Sequence, residues 1–364
     1  MKYIFRIVIF IIACICITKC FTNNNDSELE ASKKPVFAPP TKSPFKHNVG
    51  INFSVEMTNW FIDPSIKYSQ ALQRKYTYER LVRISKDFKL IRIYSFLIAG
   101  WEQTGTMSAE GYALARLAKQ DPSVEAVVAT SNNIAWYMSS ANVQMFVDTL
   151  QNKFGSAISQ VKTILIGNEI NANGYTQINI DTIMCNFKKA LATNSLNIPV
   201  SVSFNNLPVQ SGDVYSDSLV ASVVENWDTT WNSKKPFVFI DPYPDAAGIN
   251  NAAGIYKWQY NVTKYYKTLH PSLQIFIGET GAEGSLSDSR TVIIIDSVFT
   301  QLNAQYISIK KTVPTFLFEA VNEPLKGTAP PNQQYMGVYH DTSSPKVTDV
   351  KLKSGIKLPT WLNK

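Results

Sequence analysis

VKTILIGNEI, residues 161–170, opens as an apolar run rich in β-branched residues and stops abruptly at glycine, asparagine and glutamate. A run that is hydrophobic at successive positions suits a strand buried on both faces, as in a parallel sheet covered by helices. Working outward in both directions, seven further runs have the same character: VGINFS (49–54), LIRIYSF (90–96), VEAVVAT (124–130), IPVSVSF (198–204), PFVFID (236–241), LQIFIGE (273–279) and VPTFLFE (313–319). The intervals between them leave room for crossover helices. AEGYALARLAK (109–119) and VQMFVDTLQNKF (143–154) carry apolar residues three or four apart, the helical period. Eight strand–helix units predict an α/β fold closed as a (β/α)8 TIM barrel, one catalytic domain. An open doubly wound sheet would call for a glycine-rich phosphate turn after the first strand, and VGINFSVEM has none.

Composition narrows the chemistry. The 364 residues are 45% hydrophobic, 12% aromatic and 17% charged, which excludes disordered and collagen-like chains. The net charge of +7 includes Lys2, Arg6 and Lys19, so the chain beyond residue 20 carries about +4, no footprint for nucleic acid. Three scattered histidines, His47, His270 and His340, offer no HExxH zinc site and few partners for a triad. Acid–base work therefore falls to carboxylates, and no metal or organic cofactor is expected.

The first twenty residues, MKYIFRIVIFIIACICITKC, have a basic start and an apolar run from Ile7 to Ile17. This is the pattern of a secretory signal peptide, and the run is short for a membrane span. Cleavage after Cys20 is one outcome. Acylation of Cys20 as a lipoprotein, against which the preceding Lys19 argues, and a retained membrane anchor are the others. Residues 21–47, rich in Asn, Ser, Lys and Pro, read as a disordered tether ahead of a barrel domain over 48–364. Export to a secreted, periplasmic or cell-surface location follows, with the N-terminus as the candidate membrane tether. Cys14, Cys16 and Cys20 lie in the leader, leaving Cys185 without an intramolecular disulfide partner. Its setting, TIMCNFKKAL, is an apolar helical pattern in which cysteine packs as a small hydrophobe.

In a (β/α)8 barrel the reactive side chains stand at the carboxyl ends of the strands. The fourth run ends in Asn168 and Glu169, the seventh in Glu279, the second in Tyr94 and the eighth in Glu319, while Tyr243 follows the sixth. Two glutamates at the rim of one barrel suit glycosidic bond cleavage. One carboxyl protonates the leaving oxygen, and the other attacks the anomeric carbon or activates water. Tyr243 could donate a hydrogen bond that keeps a neighbouring carboxylate ionised. Arg92, inside the second run, would need an acidic partner if buried.

These segments resemble glycoside hydrolase family 17, the β-1,3-glucanases and glucanosyltransferases, through nearly the whole chain beyond the tether. VGINFS resembles the family's opening strand, LIRIYSF its second, and VVATSNNI its third, ending at Asn132. ILIGNEI is similar to the acid/base strand, IGETG to the nucleophile strand, FLFEAVNEPLK to the eighth strand with its following loop, and YMGVYHDTSSPK to the closing segment. The resemblance implies a retaining mechanism with Glu169 as general acid/base and Glu279 as nucleophile. It implies substrate-binding roles for Tyr94, Asn132, Asn168 and Tyr243, with Asn168 on the sugar 2-hydroxyl, and a polar network of Glu319, Glu323 and Lys326. The expected partner is a β-glucan polysaccharide or oligosaccharide, and the expected state a monomer.

Two departures stand out. Gly281-Ala282-Glu283-Gly284 replaces the family's Trp-Pro after the glycine, removing an aromatic wall, and DPYPD differs from the usual Tyr-Pro-Tyr-Phe stretch. Trp60, Trp101 and Trp136 are candidate replacement platforms, since sugar CH faces stack on aromatic rings. The favoured activity is an exported endo-β-1,3-glucanase. The alternatives are a glucanosyltransferase using the same two glutamates, or a glucan-binding protein without catalysis.

Overall fold

Each of the eight apolar runs is a strand in the computed structural model, which describes residues 43–363 apart from 57, 59–60, 62–68, 244–251, 283–286, 324–333 and 342–349. The strands are β1 (Val49–Asn52), β2 (Leu90–Ile93), β3 (Glu125–Ala129), β4 (Val161–Ile166), β5 (Val200–Phe204), β6 (Phe237–Ile240), β7 (Gln274–Gly281) and β8 (Thr315–Phe318). They pair in sequence order, every pair parallel, and β8 returns to β1 in the register Gly50↔Phe316, closing the barrel. Apart from the half-buried Lys162, every residue of these strands is buried, because the interior fills one face and helices cover the other.

The covering helices are α1 (Gln70–Ile84), α2 (Ala109–Gln120), α3 (Ile134–Tyr137), α4 (Ser140–Phe154), α5 (Gln177–Thr193), α6 (Val214–Glu225), α7 (Ala253–Leu269) and α8 (Asp288–Ile309). Several begin at a side-chain cap that satisfies backbone donors left free at a helix start. Ser108 caps α2, Ser139 caps α4, Asp213 caps α6, and Thr176 with Asn179 forms a reciprocal capping box on α5. Cys185 is half-buried on α5. A short antiparallel pair absent from the sequence reading, β9 (Tyr339–His340) and β10 (Lys351–Leu352), follows the barrel. It is held to α1 by a buried two-point ion pair, Arg80 Nε and Nη2 to Asp341 at 2.6 and 3.0 Å.

The floor of the barrel is aromatic. Phe45, 6% exposed, packs against Phe237, Phe239, Phe276 and Phe316 with ring centroids 6.0–6.4 Å apart. The Glu125 carboxylate accepts the backbone N–H groups of Lys46 at 2.9 Å and His47 at 2.8 Å. Ordered packing thus begins by Phe45, inside the 21–47 segment read as a tether, because a phenylalanine fills the hole the strands leave at their amino ends. The leader and residues 21–42 lie outside the described residues, as do Trp60, Lys326 and the Glu283-Gly284 departure. Phe45→Ala is expected to lower unfolding free energy by about 3–5 kcal/mol, read as a lower denaturation midpoint with an unchanged slope.

Candidate active site

The β4 end is built by a sharp turn. Gly167 has φ +61°, and a Cβ there would lie 2.5 Å from both Asn132 Oδ1 and Tyr175 Oη. The turn continues into Glu169, whose own φ is +47°, a conformation a glutamate adopts only where its surroundings impose it. Neighbouring strand ends hold it from both sides: Asn168 N–H donates to Asn132 Oδ1 at 2.8 Å, and Glu169 N–H to Ser203 Oγ at 3.1 Å. Asn168 Oδ1 accepts from Arg92 Nη2 at 2.5 Å and from Ser203 Oγ at 3.0 Å. Asn168, its oxygen so occupied, lines the cavity with an amide N–H pair left to donate.

Glu279 is 4% exposed on β7. Tyr243 Oη donates to its Oε2 at 2.6 Å, and Arg92 Nη2 stands 3.4 Å from its Oε1. Burial first, and then the Glu279 charge, hold the Tyr243 hydroxyl well above the ordinary tyrosine range, so it remains a donor. Arg92 is the centre of the arrangement. Its side chain is fully buried, Nη1 donates to Gly278 O at 2.8 Å, and the guanidinium lies 5.1 Å from the Tyr94 ring. The acidic partner its burial requires is double, Glu279 and Asp241, with Asp241 Oδ1 3.7 Å from Nη1. Burial disfavours the cation, yet the acidic groups beside it hold its pKa above the ordinary value.

These groups line a cavity of about 670 Å³ at the carboxyl ends of the strands. Of the residues expected there, Tyr94, Asn168, Glu169, Tyr243, Glu279 and Glu323 line it, and Glu323 Oε1 accepts from Ser54 Oγ at 3.1 Å. Asn132 and Glu319 do not. Asn132 spends its oxygen on the Asn168 backbone, and Glu319 is fully buried outside the lining. Of the candidate platforms, Trp101 is 63% exposed away from the cavity and Trp136 packs edge-on against Tyr137. Among the described residues the tryptophan on the cavity wall is Trp258, inside α7, with Phe318 and Pro242 as further apolar surface. Ser54, Glu56, Asn205, Asn206 and Asp241 also line it without having been singled out. The strand-end rule applied to β1, β5 and β6 would have found all five.

One carboxylate oxygen from each of Glu169, Asp241 and Glu279 lies within 4.8 Å of the others. Oxygen clusters of this kind can hold hard cations, but two of these three already face the Arg92 guanidinium, which repels a second cation. The constellation suits bond-making and proton transfer at one carbon atom.

No known family profile matches the sequence, and no curated protein matches it. Solved structures do. Two plant β-glucan endohydrolases with distinct substrate specificities are represented by a match with TM-score 0.52 at 14% identity, covering 80% of this chain and 96% of that one. A family 1 β-glucosidase from Thermotoga maritima in complex with isofagomine lactam matches with TM-score 0.52 at 12% identity over 85% and 95% of the two chains. A β-glucosidase from Exiguobacterium marinum matches with TM-score 0.50 at 13% identity over 87% and 98%. The shared feature is the fold. At such identities the likeness establishes the (β/α)8 barrel.

Glu110, in the first turn of α2, is buried and accepts the Val55 N–H at 3.2 Å. Burial, and then the Glu56 charge, push its carboxyl up to about 8. A raised carboxyl means the folded state binds a proton that the unfolded chain has lost, so stability falls as pH rises from about 4.5 to about 8. Glu110→Gln, which keeps an acceptor for Val55, is expected to match the parent below pH 4.5 and to be increasingly more stable as pH approaches 8. Urea titrations across that range check it.

Proposed function

We propose that the chain is a retaining glycoside hydrolase acting on β-1,3-glucan from within the chain, exported by its N-terminal leader. The observation that carries the reading is the Glu169–Glu279 pair, with carboxylate oxygens within 4.8 Å on the ends of β4 and β7. Retaining glycosidases hold their carboxyl groups about 5–5.5 Å apart, whereas inverting enzymes need about 6.5–9.5 Å to admit a water. The two β-glucosidases and the plant β-glucan endohydrolases that share the fold act on β-linked glucose, and the strand-end motifs favour the β-1,3 class.

In this reading Glu279, charged and oriented by Tyr243 and Arg92, attacks the anomeric carbon while Glu169 protonates the departing glycosidic oxygen. The sugar is then esterified to Glu279. Glu169, now a carboxylate, takes a proton from the water that displaces it, restoring both groups. Asn168 presents its amide nitrogen to the sugar 2-hydroxyl, a bond that strengthens as positive charge grows on the ring. Trp258 and Phe318 supply apolar surface for sugar CH faces.

A defined β-1,3-gluco-oligosaccharide incubated with the protein, and its products resolved by mass, tests this. Shorter products are expected, and Glu279→Ala should abolish them. Glu169→Ala should cut turnover of the oligosaccharide by about 10²–10⁴-fold and leave dinitrophenyl glycosides far less affected. Equal losses on both substrates would remove the acid/base assignment, and products longer than the starting material would turn the reading to glycosyl transfer. Intact mass of the exported protein, lacking twenty residues or lipid-modified on Cys20, reads the fate of the leader.

A further inference from the structure

Beside Glu279 stands a third carboxyl group that double displacement does not use. Asp241, immediately after β6, is 2% exposed and lines the cavity. Its Oδ1 is 3.7 Å from Arg92 Nη1, and neither of its oxygens accepts a well-formed hydrogen bond. Glu279 Oε1 faces the other terminal nitrogen of the same guanidinium, Nη2, at 3.4 Å. One buried cation therefore stands between two carboxyl groups. Gly278 makes room for this, since a Cβ there would lie 2.5 Å from Asp241 Oδ1 and 2.8 Å from Arg92 Nη1.

Two ionised carboxylates against one buried cation would leave excess negative charge in a place water scarcely reaches. The available donors favour Glu279: Tyr243 Oη donates to it at 2.6 Å, whereas Ser203 Oγ, which donates to Asn168 at 3.0 Å, is the least of the influences on Asp241. The charged and titratable groups facing Asp241 are Arg92 and Tyr94 on and just after β2, Glu169 after β4, Tyr243 after β6 and Glu279 on β7. Burial, and then the Glu279 charge, push the Asp241 carboxyl well above the ordinary carboxylate range in spite of Arg92, the direction that favours its protonated form. Esterification of Glu279 inverts this balance. The nucleophile's charge disappears, and Arg92 would be left a buried cation without a counter-ion.

We propose that Asp241 is a positioning residue, the reserve counter-ion of Arg92, which takes over the guanidinium's charge while Glu279 is esterified. This rests on the reading of Glu279 as nucleophile. As a Glu279 oxygen bonds to the anomeric carbon, the bond from that carbon to the leaving group breaks and the leaving group departs with the electron pair. Asp241 releases its proton to cavity water. Hydrolysis of the ester restores the Glu279 carboxylate, and Asp241 takes a proton back.

A dinitrophenyl 2-deoxy-2-fluoro-β-glucoside or its laminaribioside traps the ester and expels dinitrophenolate, which takes no proton at neutral pH, so protons released come from the protein. Glu169 also responds to the loss of the Glu279 charge, and the count is made in Glu169→Gln. In weak buffer with a pH indicator, that variant is expected to release about one proton per ester formed, the ester being counted by intact mass. Glu169→Gln/Asp241→Asn is expected to release almost none and to form the ester on the order of a hundredfold more slowly. Should the double variant fail to fold, infrared difference spectra of Glu169→Gln before and after trapping serve instead. Loss of a protonated-carboxyl C=O band on esterification is expected, and an unchanged band overturns the proposal. Equal proton release from both variants overturns it as well, with the glycosidase reading intact. Absence of both turnover and a Glu279 ester in the parent chain overturns that reading and the role of Asp241 together.

Discussion

Arg92 carries a full charge on a side chain that water does not reach, and a buried cation persists only where opposite charge and hydrogen-bond acceptors surround it. Those partners come from distant parts of the chain: Asn168 from the end of β4, Asp241 from β6, and Gly278 O and Glu279 from β7. They meet only because the sheet closes. The same guanidinium orients the amide of Asn168 and fixes the charge environment of Glu279, so the two strand ends that carry Glu169 and Glu279 are coupled through one side chain.

Closure in turn depends on filling the barrel. The strand residues are buried on both faces, and at the amino ends five phenylalanines, Phe45, Phe237, Phe239, Phe276 and Phe316, form a dry floor. A polar assembly at one end therefore rests on an apolar one at the other. The side chains that do the chemistry sit on strand ends and on turns locked by neighbouring strands, which keeps their positions narrow without a bound ligand. Glu169, held at φ +47° between Asn132 and Ser203, is the sharpest case.

Much of this was legible along the chain. Apolar β runs with period-free burial marked all eight strands, and polar residues just past their ends marked Tyr94, Asn168, Glu169, Tyr243 and Glu279, because in a parallel barrel the end of each strand opens on the same face. The same rule would have marked Ser54, Asn205 and Asn206. It fails for Trp258, which reaches the cavity from within a helix and carries only the pattern of a half-buried helical residue. It also overreaches: Asn132 and Glu319 stand at strand ends but turn to backbone or interior, a choice of side-chain direction that residue type does not encode. Phe45 lay in a segment whose polar, proline-rich neighbours masked its packing.

The sequence by itself determined that eight apolar strands recur with helical segments between them, that carboxylates stand at the barrel mouth, and where in the chain two of them lie. These follow from local physics, the period of apolar residues and the chemistry of single side chains. Only the tertiary structure decided that Asp241 and Glu279 share one buried guanidinium, that Tyr243 serves Glu279, and that three carboxylate oxygens approach within 4.8 Å. Distances between residues 92, 169, 241 and 279 are set by strand tilt, register and closure. Those quantities belong to all eight strands at once and to no segment of the chain alone.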